Sequence, residues 1–309
     1  ATGSYARTLP GLDIDGKRVI TSDQALNMDY VPKSAIVLGG GVIGCEFASV
    51  WKSFGAEVTI IEGLPRLVAL EDETSSKQLE RAFRKRKIEF EVGSRFQSHT
   101  VNADSVTVNL ENGKTFTAEV LLVAVGRGPV SAGIGYEEQG LTMDRGYVLV
   151  DNKCRTNVPG VWAVGDLIPT LQLAHVGFQE GIMVAEEIAG LNPQPINYDG
   201  VPRVTYSEPE VASVGLTTAT AKERGYDIEE ISYDLGGNGK SQILKTAGSI
   251  KIVQQKGGPV LGIHMVGDRV GELIGEAQVI YNWQADAQDV APYIHAHPTM
   301  NEAMGEAFL

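Results

Sequence analysis

The pattern Gly39-x-Gly41-x-x-Gly44 constrains this chain most, because of where it stands. It follows the apolar run Ala35-Ile36-Val37-Leu38 and opens a stretch of helical spacing from Val42 to Phe54 that stops at Gly55. A strand turning so abruptly into a helix uses each glycine differently. Gly39 permits the tight turn, Gly41 lets the backbone approach a phosphate, and Gly44 lets helix and strand pack closely. The N–H groups of the first turn, at Val42, Ile43 and Gly44, then face an anion with the positive end of the helix dipole behind them. Glycines can also serve a merely packed turn, so the pattern alone is a weak signal.

Glu62 strengthens it. This acid ends the next β-branched run, Val58-Thr59-Ile60-Ile61. There it can accept hydrogen bonds from both hydroxyls of an adenosine ribose, and it would repel a 2′-phosphate. The next residue is Gly63 rather than Arg, which favours NAD over NADP.

The periodicities around this unit predict an α/β fold. A charged helix over 73–87 and a strand from Ile88 to Val92 continue the alternation, which implies right-handed crossovers and a parallel sheet. From Phe96 to Phe116 the period becomes two, with a turn at Glu111-Asn112-Gly113, as in an antiparallel meander. Val120 to Val125 returns to the buried sheet. Residues 5–34 read as irregular, and 30–150 as a Rossmann-like NAD-binding domain preceded by a linker segment, 1–29. Residues 147–190 predict strands at Tyr147 to Val150 and Val161 to Val164, then a helix from about Gln172 to Ala189. The last part, 197–309, predicts an α+β domain. Its strands run near Arg203 to Tyr206, Ala212 to Gly215, Ile228 to Tyr233, Ser249 to Val253 and Leu261 to Val266, with helices near 218–224, 270–284 and 286–291.

Composition bounds the function. A net charge of -13 argues against nucleic acid or an anionic membrane as the main partner, but not against a cofactor held by backbone N–H groups. The only cysteines, Cys45 and Cys154, form neither a disulfide framework nor a metal or redox motif, which fits a reducing cytoplasm. No signal peptide is visible, and no apolar run reaches the ~20 residues of a membrane span. The chain opens at Ala1 without an initiator Met, so an upstream segment is expected.

Three further groups carry chemistry. Glu46 lies on the first turns of the glycine-turn helix, on the nucleotide side, where an acid is usually a dipole-stabilising surface residue. Gly165-Asp166 ends an apolar run, where Asp166 could grip a sugar-like hydroxyl or simply cap a turn. Just beyond, Leu173-Ala174-His175 begins a helix whose N–H groups could face an anion. Finally, in His297-Pro298-Thr299-Met300-Asn301-Glu302, Pro298 suits a first helical position, with His297 at the cap and Glu302 on the first turns. A carboxylate on one imidazole nitrogen fixes the tautomer and leaves the other nitrogen as a base; the alternative is a helix cap with an unrelated acid. His295 is a weaker rival.

The order of these motifs resembles the flavin-dependent pyridine nucleotide–disulfide oxidoreductases over essentially all 309 residues. The matching stretches include Ala1-Thr2-Gly3-Ser4, Gly39 to Phe47, Val58 to Glu62, Val125 to Pro129, Ala163 to Asp166, Pro209 to Thr217, and His295 to Thr299 with Glu302. Leu173-Ala174-His175 looks like the lipoamide branch. The resemblance implies oxidation of dihydrolipoamide through a redox disulfide and FAD to NAD, serving the lipoyl domain of a 2-oxo acid dehydrogenase complex. It implies that Asp166 binds the FAD ribityl chain, and that the backbone of Ala174 and His175 meets the flavin. Glu46 would pair with a lysine beside the flavin, and Gly126 would contact NAD. His297, oriented by Glu302, would be the acid–base residue of a homodimer built through 197–309, with 151–196 returning to the FAD domain. The family's first FAD segment and its Cys-x-x-x-x-Cys pair are not in this sequence, so a fragment inactive by itself is expected. Two alternatives stand beside this: another disulfide reductase of the family, or a non-catalytic NAD-binding remnant.

Overall fold

The computed structural model describes residues 1–309. They form two compact units, Thr8–Val125 with Pro202–Leu309, and Ala1–Arg7 with Gly126–Val201.

The first unit contains a five-stranded parallel sheet in the spatial order Val19–Thr21, Val120–Val123, Ser34–Leu38, Glu57–Glu62, Ile88–Val92. At its centre Val120–Val123 and the run Ala35 to Leu38 are apolar throughout because both faces are covered. Ala35 and Val37 point to one core with Ile60, Val120 and Leu122, where Cys45, Ala48 and Trp51 of the helix Val42–Ser53 and Leu79 and Phe83 of the helix Glu73–Lys85 pack. The alternate residues Ile36, Leu38, Leu121 and Val123 point the other way, onto Val106, Val108 and Leu110 of a meander. That meander comprises Phe96–Val101, Val106–Leu110 and Thr115–Ala118, paired antiparallel. Phe83 is fully buried, and burying a side chain of that size contributes about 1.5–3 kcal/mol.

The same unit includes an antiparallel sheet ordered Arg203–Thr205, Glu210–Gly215, Val260–Gly267, Ser249–Gln255, Ile228–Asp234. The helix Val270–Asn282 buries Val270, Leu273, Ile274, Ala277 and Ile280 in its core. Met300, Ala303, Met304 and Phe308 of the C-terminal segment join them.

The second unit is built on fewer regular elements. Ser4–Ala6 pairs with Arg127–Pro129, and Met143–Asp144 with Tyr147–Val148. The helix Ala174–Ile188 packs Met183 against Val148, Cys154, Ala163, Leu167 and Ile168. No helix of the protein is long and apolar enough to cross a membrane.

The strand expected at Val161 to Val164 does not form; only Trp162 bridges Arg155 there. Gly160 and Gly165, both at positive φ, bracket the run and turn the chain at each end. Short elements such as Val19–Thr21 and Gly239–Leu244 escaped the periodicity, each too brief to show a repeat.

Candidate functional site

In the first unit the glycine turn is fixed by contacts that exclude side chains. Gly39 has φ +112°, and a Cβ there would run into the Ala124 carbonyl. A Cβ on Gly44 would strike the Gly39 carbonyl oxygen, which is the close strand–helix approach the sequence predicts. Gly41 is different: it is exposed, and a Cβ there would meet nothing within 4 Å. It is the N-cap of Val42–Ser53 and offers no side-chain cap, so the first-turn N–H groups open onto free space. The donors and the clearance fit a pyrophosphate.

Glu62 stands beside this turn. Its Oε2 accepts the Gly40 N–H at 2.6 Å and its Oε1 accepts the Leu64 N–H at 2.7 Å. Each oxygen keeps lone-pair capacity for a ribose hydroxyl. Glu46, one turn into the helix, accepts the Tyr206 N–H at 2.8 Å. Burial raises its carboxyl above the usual carboxylate range, and the Tyr206 N–H only partly offsets this. The sequence offered no signal for any of these three backbone bonds.

The His297 pair lies on the α+β part of this unit. His297 Nδ1 meets Glu302 Oε1 at 2.7 Å, and Glu302 Oε2 accepts the Thr299 N–H at 2.8 Å. Those bonds, the backbone one first, hold the Glu302 carboxyl below its usual range. An ionised acceptor fixes the proton on Nδ1 and leaves Nε2 outward on a ring that is 76% exposed. The predicted helical setting needs correction. The helix is Glu302–Glu306 with Asn301 as N-cap, while His297 and Pro298 lie in an irregular segment joined by a cis peptide bond. The Thr299 N–H goes to Glu302, and its hydroxyl donates to the Ala296 carbonyl at 2.6 Å, so side chains satisfy this turn in place of a helical ladder.

In the second unit, Asp166 sits in a 3₁₀ turn, Gly165–Leu167, and accepts the Ser4 hydroxyl. Arg127 Nε donates to the same Ser4 oxygen at 2.7 Å. Ala174 and His175 are exposed at the start of their helix, whose N-cap Leu173 supplies no side-chain bond. An uncapped helix start and an acid on an adjacent turn fit the anionic and hydroxyl parts of a flavin nucleotide. Gly126 is exposed, and its carbonyl accepts the Arg7 N–H at 2.9 Å. Sequence reasoning missed Glu180, which is fully buried. It accepts from the Gly165 N–H at 2.6 Å and from the Thr170 and Tyr198 hydroxyls at 2.9 Å, so it anchors the turn that carries Asp166. An acid amid the apolar residues Val176, Ile182, Met183 and Val184 was its only trace.

Neither cysteine is poised for redox work. Cys45 is buried and pushed up by burial and then by Glu62; Cys154 is pushed up to about 12 by burial and then by Glu180.

Comparison with known proteins decides the family. Residues 1–181 match the model of the pyridine nucleotide-disulphide oxidoreductases, and residues 201–308 match that family's dimerisation domain. The chain belongs to the pyridine nucleotide-disulphide oxidoreductases. Among relatives of this oxidoreductase, the dihydrolipoyl dehydrogenase of Bacillus subtilis is 40% identical over 316 residues, covering 100% of this chain and 67% of that protein. The mitochondrial dihydrolipoyl dehydrogenase of Schizosaccharomyces pombe is 41% identical over 317 residues, covering 100% of this chain and 62% of that one. The crystal structure of LpdA from Mycobacterium tuberculosis superposes with a TM-score of 0.92 at 28% identity, covering 99% of this chain and 68% of that one. RclA from Escherichia coli, an HOCl-induced flavoprotein disulfide reductase, gives 0.91 at 26% identity, covering 100% and 72%. The chain thus spans about two thirds of the length of the curated relatives it matches. Membership in this oxidoreductase family implies FAD and NAD(H) as cofactors.

Proposed function

We propose that the protein containing this chain oxidises dihydrolipoamide to lipoamide, delivering two electrons through a redox disulfide and FAD to NAD. The 2.7 Å bond between His297 Nδ1 and Glu302 Oε1 carries the reading. It leaves Nε2 to take a proton from a substrate thiol, so that the thiolate attacks the disulfide, one S–S bond breaks and a mixed disulfide forms. Glu302 holds the ring and stabilises the imidazolium. Relatives named dihydrolipoyl dehydrogenase over the whole chain support the substrate. FAD, when bound, supplies the electron relay between dithiol and NAD. Asp166 and the first turn at Ala174 and His175 would hold it, with Glu46 beside the flavin. Gly39, Gly41, Val42, Ile43, Gly44 and Glu62, with Gly126, would hold NAD.

Residues 30–150 would then serve as the NAD domain, 1–29 and 151–196 as parts of the FAD domain, and 197–309 as the interface domain. A homodimer is supported by the match to a dimerisation domain, in which Trp283, Tyr293 and Ile294 are exposed. The buried, unpaired cysteines suit a reducing compartment such as the cytoplasm. The lipoyl domain of a 2-oxo acid dehydrogenase complex is the proposed carrier of the dithiol.

Replacing His297 by Gln in the full-length protein tests this. Thiol–disulfide turnover should fall about 10²–10⁴-fold with flavin content unchanged; undiminished turnover would sink it. The likeness to RclA favours one second reading, a disulfide reductase with another thiol, which a panel of dithiols and disulfides separates.

A further inference from the structure

The segment that carries His297 has no regular structure from His295 to Met300, yet it ends in a second histidine–carboxylate contact. His295 Nε2 meets Glu276 Oε1 at 2.7 Å. The other oxygen of the same carboxylate, Oε2, accepts from Asn301 Nδ2 at 3.0 Å. Glu276 therefore grips both ends of the loop, one oxygen to each, with His297 between them and Glu302 one residue beyond. Its own position is firm. It lies on Val270–Asn282, beside Leu273, Ile274, Ala277 and Ile280, which are buried in the core beneath.

The far side of the His295 ring is equally constrained. Gly305 leaves a gap there: a Cβ would lie 2.6 Å from His295 Nδ1. Asn301, the N-cap of Glu302–Glu306, and Gly305 within it are four residues apart, so one face of that helix presents both the donor and the gap. The side chain of His295 is only 14% exposed, against 76% for His297. One histidine is built in and the other is presented.

We propose that Glu276 is a positioning residue: by bonding His295 and Asn301 together it holds the loop in the one conformation where His297 Nδ1 reaches Glu302. The inference rests on the reading of His297 as the proton-handling group, and Glu276 itself touches no reactant. A displacement of the ring by about 1 Å can cost up to 10²-fold in rate, which sets the scale of its effect.

The test reads the His297–Glu302 bond directly. In the proton NMR spectrum of the full chain, an imidazole N–H bonded to a carboxylate gives a far-downfield signal, assigned by its loss in His297→Gln. Glu276→Ala should remove that signal, and Asn301→Ala and Glu276→Gln, which each cut one of the two grips, should weaken it. In the full-length protein, thiol–disulfide turnover should fall roughly tenfold to a hundredfold in Glu276→Ala, with hydride exchange between flavin and NAD unchanged. A sharp His297 signal persisting in Glu276→Ala overturns the proposal. If that variant does not fold, an unaltered signal in both single-grip variants overturns it instead. A lost signal with undiminished turnover leaves the positioning role standing and removes the catalytic role of His297, so the two ideas fail separately.

Discussion

Glu62 Oε2 accepts the Gly40 N–H at 2.6 Å, so the acid that closes the nucleotide unit is fastened to the glycine turn itself. Glu62→Ala should therefore act twice. It removes the proposed ribose acceptor and leaves the Gly40 N–H, in a buried residue, without its partner. NAD affinity should fall by about tenfold or more, and stability by about 1–3 kcal/mol. Titration calorimetry and urea unfolding on one preparation check both; loss of affinity alone would mean the Gly40 bond is dispensable.

Two of the motif glycines, Gly44 and Gly41, should separate in their effects. Gly44→Ala drives a methyl into the Gly39 carbonyl and should cost more than about 2 kcal/mol, seen as a lowered denaturation midpoint. Gly41→Ala meets open space at an ordinary φ of -76°, and should cost less than about 1 kcal/mol. Its methyl would instead occupy the approach to the pyrophosphate, so NAD binding should be lost from a folded protein. Equal affinity in Gly41→Ala and the parent would move the phosphate elsewhere.

Acid stability should depend on a buried pair between the N-cap of the helix Glu73–Lys85 and the antiparallel sheet. Lys251 Nζ lies 3.0 Å from Asp72 Oδ1 and 2.8 Å from Glu230 Oε2. Burial pushes the Asp72 carboxyl up, but His264, Lys251 and the Thr74 N–H outweigh it and hold it down at about 2. A carboxyl depressed in the folded state stabilises above its unfolded value and loses that contribution as pH falls through the folded one. The window is therefore from about pH 4 down to about pH 2, and the contribution is on the order of 2 kcal/mol. Thermal melts of the parent should steepen their decline in that window, and those of Asp72→Asn should decline less.

Glu180→Ala should be among the most damaging single changes outside the motifs. It strands the Gly165 N–H and the hydroxyls of Thr170 and Tyr198 around an apolar void. A cost of about 3–5 kcal/mol is expected, with faster proteolysis across 160–175 if the turn holding Asp166 loosens. An unchanged melting temperature would contradict the anchoring role.

What the sequence made legible follows from how local each signal was. The sheet strands at 34–38 and 57–62 and the helix between them announced themselves by continuous apolar character, helical spacing and glycine punctuation. The five strands of the antiparallel sheet were legible too, because each alternates or runs apolar over several residues. Val161 to Val164 misled because an apolar run bounded by glycines looks the same whether or not a neighbour pairs with it. The His297–Glu302 contact was visible as a pair of residue types, but its setting was not, since Pro298 suits a helix start and a bend alike. Glu180, Glu276 and Lys251 were invisible because their partners lie up to 179 residues away, and nothing local distinguishes a buried acid or lysine from a solvated one.

The uncapped start of Val42–Ser53 has a thermodynamic consequence. Donors that no side chain of the protein satisfies belong to a fold completed from outside. A nucleotide bound there is coupled by mass action to the folding of the whole larger unit. At a free concentration one hundred times its dissociation constant it should add about 2.7 kcal/mol to the unfolding free energy. Cellular dinucleotide levels would then set how strongly this sheet resists unfolding.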